Sequence, residues 1–187
     1  MHRENAPPPR DDIMATKKTA MFTLTERITI SGAGTDTAAT IDLGSYVDVG
    51  DRQALQIHSV DFIYQGNDAS SSAPSDMGGS GTVVCQVMDL NRGGLVFAND
   101  RALVASGMLD YAPTGYLTNS ADLYPDNFGK GADDGRYVVN DALYLVARSS
   151  SLAGTAVNVT VRVNASIVTL SQKDFMAIAI QSTAADN

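Results

Sequence analysis

The chain has 187 residues and a formal net charge of −8, which is enough for one ordinary core and too acidic for the surface as a whole to hold nucleic acid. Apolar residues make up 44% and charged ones only 18%, with 16 glycines and no tryptophan; this balance suits a turn-rich β protein better than a helical one. No apolar run reaches the roughly 18 residues of a membrane span, and a single cysteine, Cys85, excludes an internal disulfide.

Residues 1–20 read as an extended N-terminal arm, with Pro7, Pro8 and Pro9 favouring polyproline geometry. Its basic and acidic side chains nearly cancel, so the acidity belongs to the rest of the chain. The start has no hydrophobic stretch of the secretory kind. Met14 opens MATKKTAMF, itself in the style of a protein start, which leaves residues 1–13 readable as an upstream extension or as a genuine arm.

From residue 21 the pattern is strand, turn, strand. MFTLTERITI places Phe22, Leu24, Ile28 and Ile30 on one face, interrupted by Glu26. SGAGTDTAAT reads as a loop, and IDLGSYVDV as a short strand. In ALQIHSVDFIYQ, Leu55 and Ile57 share one parity while Val60, Phe62 and Tyr64 share the other, which predicts a β-bulge between them. Residues 66–81 form a long polar loop. TVVCQVMDL is apolar on both faces and reads as a central strand, with Cys85 a buried, inert thiol. GLVFAND reads as another strand, and RALVASGMLDYA as a short helix or a bent strand. Residues 113–135 read as a long structured loop, of the kind that carries contacts. RYVVNDALYLVARSS returns to the β pattern with Leu143, Leu145 and Ala147 inward, and SSLAG turns the chain.

TAVNVTVRVNASIV then alternates nearly without error. Val157, Val159, Val161, Val163, Ala165 and Ile167 are apolar, with Asn158, Thr160, Arg162, Asn164 and Ser166 between them. Such a ribbon closes one side of a core with its apolar face and meets solvent or a neighbouring subunit with the other; a one-residue slip would expose the valines, so the register should be strict. It is expected to pair antiparallel with the strand before it. LSQKDFMAIAIQ ends the pattern as a last strand or short helix. Eight or nine strands joined by long loops favour Greek-key connections. The expected fold is all-β, an antiparallel β-sandwich of jelly-roll topology over residues 21–187, one domain behind the arm.

The residues offer little catalytic chemistry, and no enzyme is expected. His2 lies in the arm, and His58 reads as a strand-face histidine with a hydrogen bond. There is no G-x-S-x-G elbow, and the histidines and cysteine are too few for a zinc site. SGAGTDT and GKGADDG match neither a dinucleotide fingerprint nor a P-loop. Glutamate occurs only at Glu4 and Glu26, against a paired-carboxylate glycosidase. Asp122, Asp126, Asn127, Asp133 and Asp134 form the one weak candidate for a hard cation such as calcium, and ordinary solvated turns explain them as well. The sequons at Asn158 and Asn164 lie on the polar face of one strand. No cofactor is expected. Tyr111, Tyr116, Tyr124, Phe128 and Tyr137 cluster in or near the 113–135 loop, either as contact residues or as a cover for one end of the core.

With its proline-bearing arm, its all-β body and the closing stretch DALYLVARSSSLAGTAVNVTVRVNASIVTLS, the chain resembles the small single jelly-roll coat proteins of tailless icosahedral viruses of bacteria and archaea, over residues 21–180 as a pattern. The resemblance implies a self-assembling capsid subunit of a virion, partnered by copies of itself through lateral contacts, with other capsid proteins or an internal membrane as further neighbours. Nucleic acid contact is not expected of the acidic body. Pro7, Pro8, Pro9, Tyr111, Tyr116, Tyr124 and Phe128 are the candidate contact residues. Two other readings stand beside it: a sandwich that binds carbohydrate or a surface, with calcium in the acidic loop, and an extracellular filament subunit that exchanges strands.

Overall fold

The computed structural model describes residues 15–112, 117–124, 128 and 135–183, with the backbone alone for 117–124 and 182–183. The described strands are β1 (Ala15–Lys17), β2 (Phe22–Ile30), β3 (Thr37–Asp42), β4 (Gln53–Gln65), β5 (Gly81–Met88), β6 (Leu103–Ala112), β7 (Leu117–Tyr124), β8 (Arg136–Val138), β9 (Ala142–Ser149) and β10 (Val157–Leu170). A twelve-residue helix, α1 (Gln172–Thr183), follows.

The strands pair in a nested series: β2 with β10, β3 with β9, β4 with β8, and β5 with β6, all antiparallel. This is one long hairpin rolled up on itself. Two more pairings, β10 with β4 and β9 with β5, close the roll into two sheets. Sheet A contains β2, β10, β4 and β8 in spatial order, with β1 on the β2 side of β10; sheet B runs β3, β9, β5, β6, β7. The result is a jelly roll, an all-β antiparallel sandwich.

Alternation builds the core. On β2, Leu24, Ile28 and Ile30 point inward and are buried while Thr23, Thr25, Arg27 and Thr29 are exposed. On β10, Val157, Val159, Val161, Val163, Ala165 and Ile167 form the inner wall. Opposite them stand Val83, Cys85 and Val87 of β5 and Leu143, Leu145 and Ala147 of β9. β-Branched side chains suit this pleated, half-buried surface. The bulge expected in β4 is present: Ser59 pairs with Asn164 and Ile57 with Ala165, so His58 is skipped and the inward parity switches there. At Gly107 the two sheets leave no room for a side chain: a Cβ would meet the Phe62 ring at 2.6 Å.

Several expectations need correction. GLVFAND is not a strand but part of a loop, residues 89–102. Residues 113–135 are not one loop, because β7 lies within them as the edge strand beside β6. β9 and β10 do not pair with each other; they belong to opposite sheets, and the turn between them crosses the sandwich. RYVVNDALYLVARSS likewise divides, β8 going to sheet A and β9 to sheet B. β3 lies four residues before the expected start of its strand, in the second half of SGAGTDTAAT. The closing LSQKDFMAIAIQ needs no correction: of its two expected forms it takes the helix, from Gln172.

Candidate assembly surface

The two outer faces of the sandwich are dressed differently. On sheet A, outward side chains form cross-strand hydrogen-bonded rows. Thr23 donates to Asn164 at 2.7 Å, and Asn164 donates to Ser59 at 2.9 Å. Thr29 donates to Asn158 at 2.7 Å, and Asn158 donates to the Gly66 carbonyl. Both sequon asparagines are thus engaged in the sheet. His58 Nε2 lies 2.9 Å from Ser166 Oγ, as the strand-face reading expected. Burial, with a smaller effect from the charge of Lys17, lowers its pKa and keeps it neutral at pH 7.

Toward the end of β10 the polar face becomes apolar, and α1 covers it. Ala54, Tyr137, Val139, Val168 and Leu170 form the seat, and Ala15, Phe175, Ile178 and Ala179 pack against it. Ser171 starts the helix: its Oγ accepts from the Asp174 N–H at 3.2 Å and donates to Asp174 Oδ2 at 2.6 Å, a capping arrangement. The sequence of α1 is apolar on both sides, so its far side carries exposed Met176 (52%) and Ile180 (61%) with Ala177 between them.

On sheet B the covering element is the loop 89–102. Its ends are joined by the Asp89 N–H donating to the Ala102 carbonyl at 2.9 Å, which makes it a compact Ω-loop. Leu95 and Val96 turn inward onto a small cluster of Met88, Leu103, Tyr144 and Val146. The Gln86 side chain imitates a neighbouring strand: its Nε2 donates to the Val96 carbonyl and its Oε1 accepts from the Val96 N–H, both at 2.8 Å. Asp36 accepts from the Leu95 N–H and forms a 2.6 Å ion pair with Arg148. The hydrogen bond from Arg148 is the main reason the Asp36 carboxyl lies below its ordinary pKa. Arg92 pairs with Asp100 across the loop at 3.1 Å. With every inward group tied down, Phe97 stands outside at 87% exposure.

At the loop's root lies a buried ionic contact that no sequence motif announced. The Arg136 guanidinium, from sheet A, donates to Asp89 at 3.0 Å and to the Arg101 carbonyl at 2.7 Å. It therefore grips both ends of the loop and ties the two sheets together. Asn140 donates to the Asp89 carbonyl at 2.6 Å. Burial raises the Asp89 pKa despite Arg136, because desolvation outweighs the attraction. Cys85 lies in the core, and burial pushes its thiol up to about 12, the inert state expected of it.

Of the contact residues singled out in sequence, Tyr111 and Phe128 are half-buried and pack against the main core. Tyr124 ends β7 and Asp122 lies within it, where only the backbone is described. Pro7, Pro8, Pro9, Tyr116, Asp126, Asn127, Asp133 and Asp134 lie outside the described residues. Among the described residues no group of three or more His, Cys, Asp and Glu side chains is placed to hold a metal ion, and no helix is long and apolar enough to cross a membrane. Phe97, Met176 and Ile180 were the surface residues that sequence reading missed: Phe97 was assigned to a strand, and the far side of α1 shows only once the helix is seated.

No protein-family model matches the chain, and no curated protein matches it. Among solved structures it is similar to VP1 of Merkel cell polyomavirus in complex with GD1a oligosaccharide, at 6% identity and TM-score 0.40, over 86% of this chain and 100% of that one. It is also similar to a nora virus structure, at 13% identity and TM-score 0.34 over 100% of this chain and 70% of that one. A third likeness is to Desmodium yellow mottle tymovirus, at 11% identity and TM-score 0.29, over 91% and 97%. Overlaps at this level are likenesses of strand layout, and the jelly-roll assignment rests on the pairing of the strands themselves.

Proposed function

We propose that this chain is a structural subunit that assembles with copies of itself into a capsid shell, and that its place is the virion. One observation carries the reading. A sandwich whose core is already closed still holds large apolar side chains on its outside, at Met21, Tyr46, Val49, Phe97, Met176 and Ile180. Four separate elements present them: the β1–β2 and β3–β4 connections, the Ω-loop on sheet B, and α1 on sheet A. Exposed apolar groups gathered side by side mark a surface completed by a partner, and Met176 with Ile180, one turn apart on α1, is such a group. The candidate contacts at Pro7, Pro8, Pro9, Tyr116 and Tyr124 belong to the same proposal.

Sedimentation velocity and negative-stain electron microscopy of the purified protein over a range of concentration and salt test it. Closed shells or discrete subshell oligomers are the expected outcome. A monomer under every condition overturns the reading, and open fibres would replace it with the filament alternative.

A further inference from the structure

We propose that the Ω-loop and α1 are the two halves of one contact: Phe97 of each copy seats against the Met176–Ala177–Ile180 face of the next. The inference deepens, and rests on, the assembly reading above. Its first support is complementarity of shape. Phe97 is a single projecting aromatic on a loop held from below by Gln86, Asp36, Arg136 and the Arg92–Asp100 pair. Little conformational freedom remains to be lost when it docks, as is typical of an anchor residue. The far side of α1 offers Met176 and Ile180 one turn apart, with the small Ala177 beside them. An aromatic ring can lie over the small Ala177, flanked on one side by the Met176–Ile180 ridge.

The second support is placement. The loop lies on the outer face of sheet B and α1 on the outer face of sheet A. A knob and its seat on opposite sides of one brick cannot satisfy each other within a molecule. They can do so only between copies, and the contact is then head-to-tail, so it propagates into rings or curved arrays.

The third support is charge. On the outer side of sheet A, Lys17, Arg27, Arg162 and Lys173 outnumber Asp61 and Asp174, although the protein as a whole carries −8. Among the described residues on the outer side of sheet B, the Arg92–Asp100 and Arg148–Asp36 pairs cancel, and Asp42 and Asp110 add negative charge. A two-fold contact of α1 with α1 would oppose two positive faces. The head-to-tail contact brings a positive face against a negative one.

The test uses two variants of the whole chain, Phe97→Asp and Ile180→Asp, followed by sedimentation velocity. Both positions are exposed, so the melting curve and far-ultraviolet circular dichroism should match those of the unsubstituted protein; should either aspartate variant unfold, Phe97→Ser and Ile180→Ser make the same comparison. Each variant alone should self-associate at least about tenfold more weakly. Mixed together they should form a 1:1 dimer and nothing larger through this contact, because one retains the knob and the other the seat. If Phe97→Asp assembles as the unsubstituted chain does, this contact is wrong and the capsid reading survives. If only Ile180→Asp is impaired and the mixture gives no dimer, α1 pairs with itself and the head-to-tail contact is wrong. If the unsubstituted chain never associates, both readings fall.

Discussion

α1 and the Ω-loop do the same job by opposite means. Each covers the back of a sheet where the strands turn apolar. The helix does it by packing: Phe175, Ile178 and Ala179 lie on an apolar seat behind the Ser171–Asp174 cap. The loop does it with polar staples, one ion pair across its width and the side chains of Asp36, Gln86 and Arg136 reaching into its backbone. Packing tolerates change in proportion to area lost. A polar staple fails abruptly, because removing one partner strands the other in a dry place. The contrast predicts that single substitutions should separate the two covers cleanly.

The largest effect is expected at the loop's root. Arg136→Ala removes the hydrogen-bonded counter-ion of buried Asp89 and leaves only the weaker field of Arg92, and stability at neutral pH should fall by about 3–5 kcal/mol. Its pH dependence identifies the cause. Asp89 already lies above the ordinary carboxylate range, so the folded protein keeps this proton to a higher pH than the unfolded chain, and the group's contribution diminishes as pH rises through that window. Without Arg136 the folded pKa rises further. The variant's deficit, measured by urea denaturation, should therefore shrink as the pH is lowered from neutral toward the carboxylate range; a deficit that stays constant would assign the loss to packing. Next comes the helix. Phe175→Ala should cost about 2–3 kcal/mol, below the roughly 3–5 kcal/mol of a fully buried phenylalanine, because Phe175 is only half-buried. The loss should show no pH dependence, and amide exchange should accelerate in α1 and leave the Ω-loop unchanged.

The same contrast explains what the sequence made legible. Where burial follows a period, it could be read: the two faces of β10, the inward residues of β2, the central place of β5 and the bulge at His58 all follow from alternation alone. Where a side chain from elsewhere supplies the partner, it could not. GLVFAND has the composition of a strand, and Val96 does have strand-like hydrogen bonds, but they come from the Gln86 amide and not from a neighbouring chain. β9 and β10 look like a hairpin because they are adjacent in sequence and both alternate; that they face each other across the core depends on β2 and β4, which pair with β10 first. The Ser171–Asp174 capping pattern was visible in the sequence as a serine followed three residues later by an acid, and it would have favoured helix over strand for the last element. Phe97 stayed hidden because periodicity reports which residues share a face, not whether a face is covered.

Two smaller effects probe the staples singly. Gln86→Leu keeps the volume and removes both hydrogen bonds to Val96, leaving its N–H and carbonyl unpaired under the loop. About 1–3 kcal/mol should be lost, and amide exchange at Val96 should approach that of an open loop. The smallest effect is Asp36→Asn. The Asp36–Arg148 pair is partly exposed, so its contribution is a few tenths to about 1 kcal/mol. Because the folded pKa of Asp36 is depressed, that contribution is complete above the unfolded value of about 3.9 and disappears as pH falls through the folded value. In the unsubstituted protein the Leu95 amide resonance should therefore shift with acid at a pH below the ordinary aspartate range, and the shift should vanish in Asp36→Asn. The amides of Phe175 and Ile178, in the helix packed on sheet A, should not follow that titration. If they move with Leu95, the two covers are coupled through the sandwich, and the separation of packed helix from stapled loop does not hold.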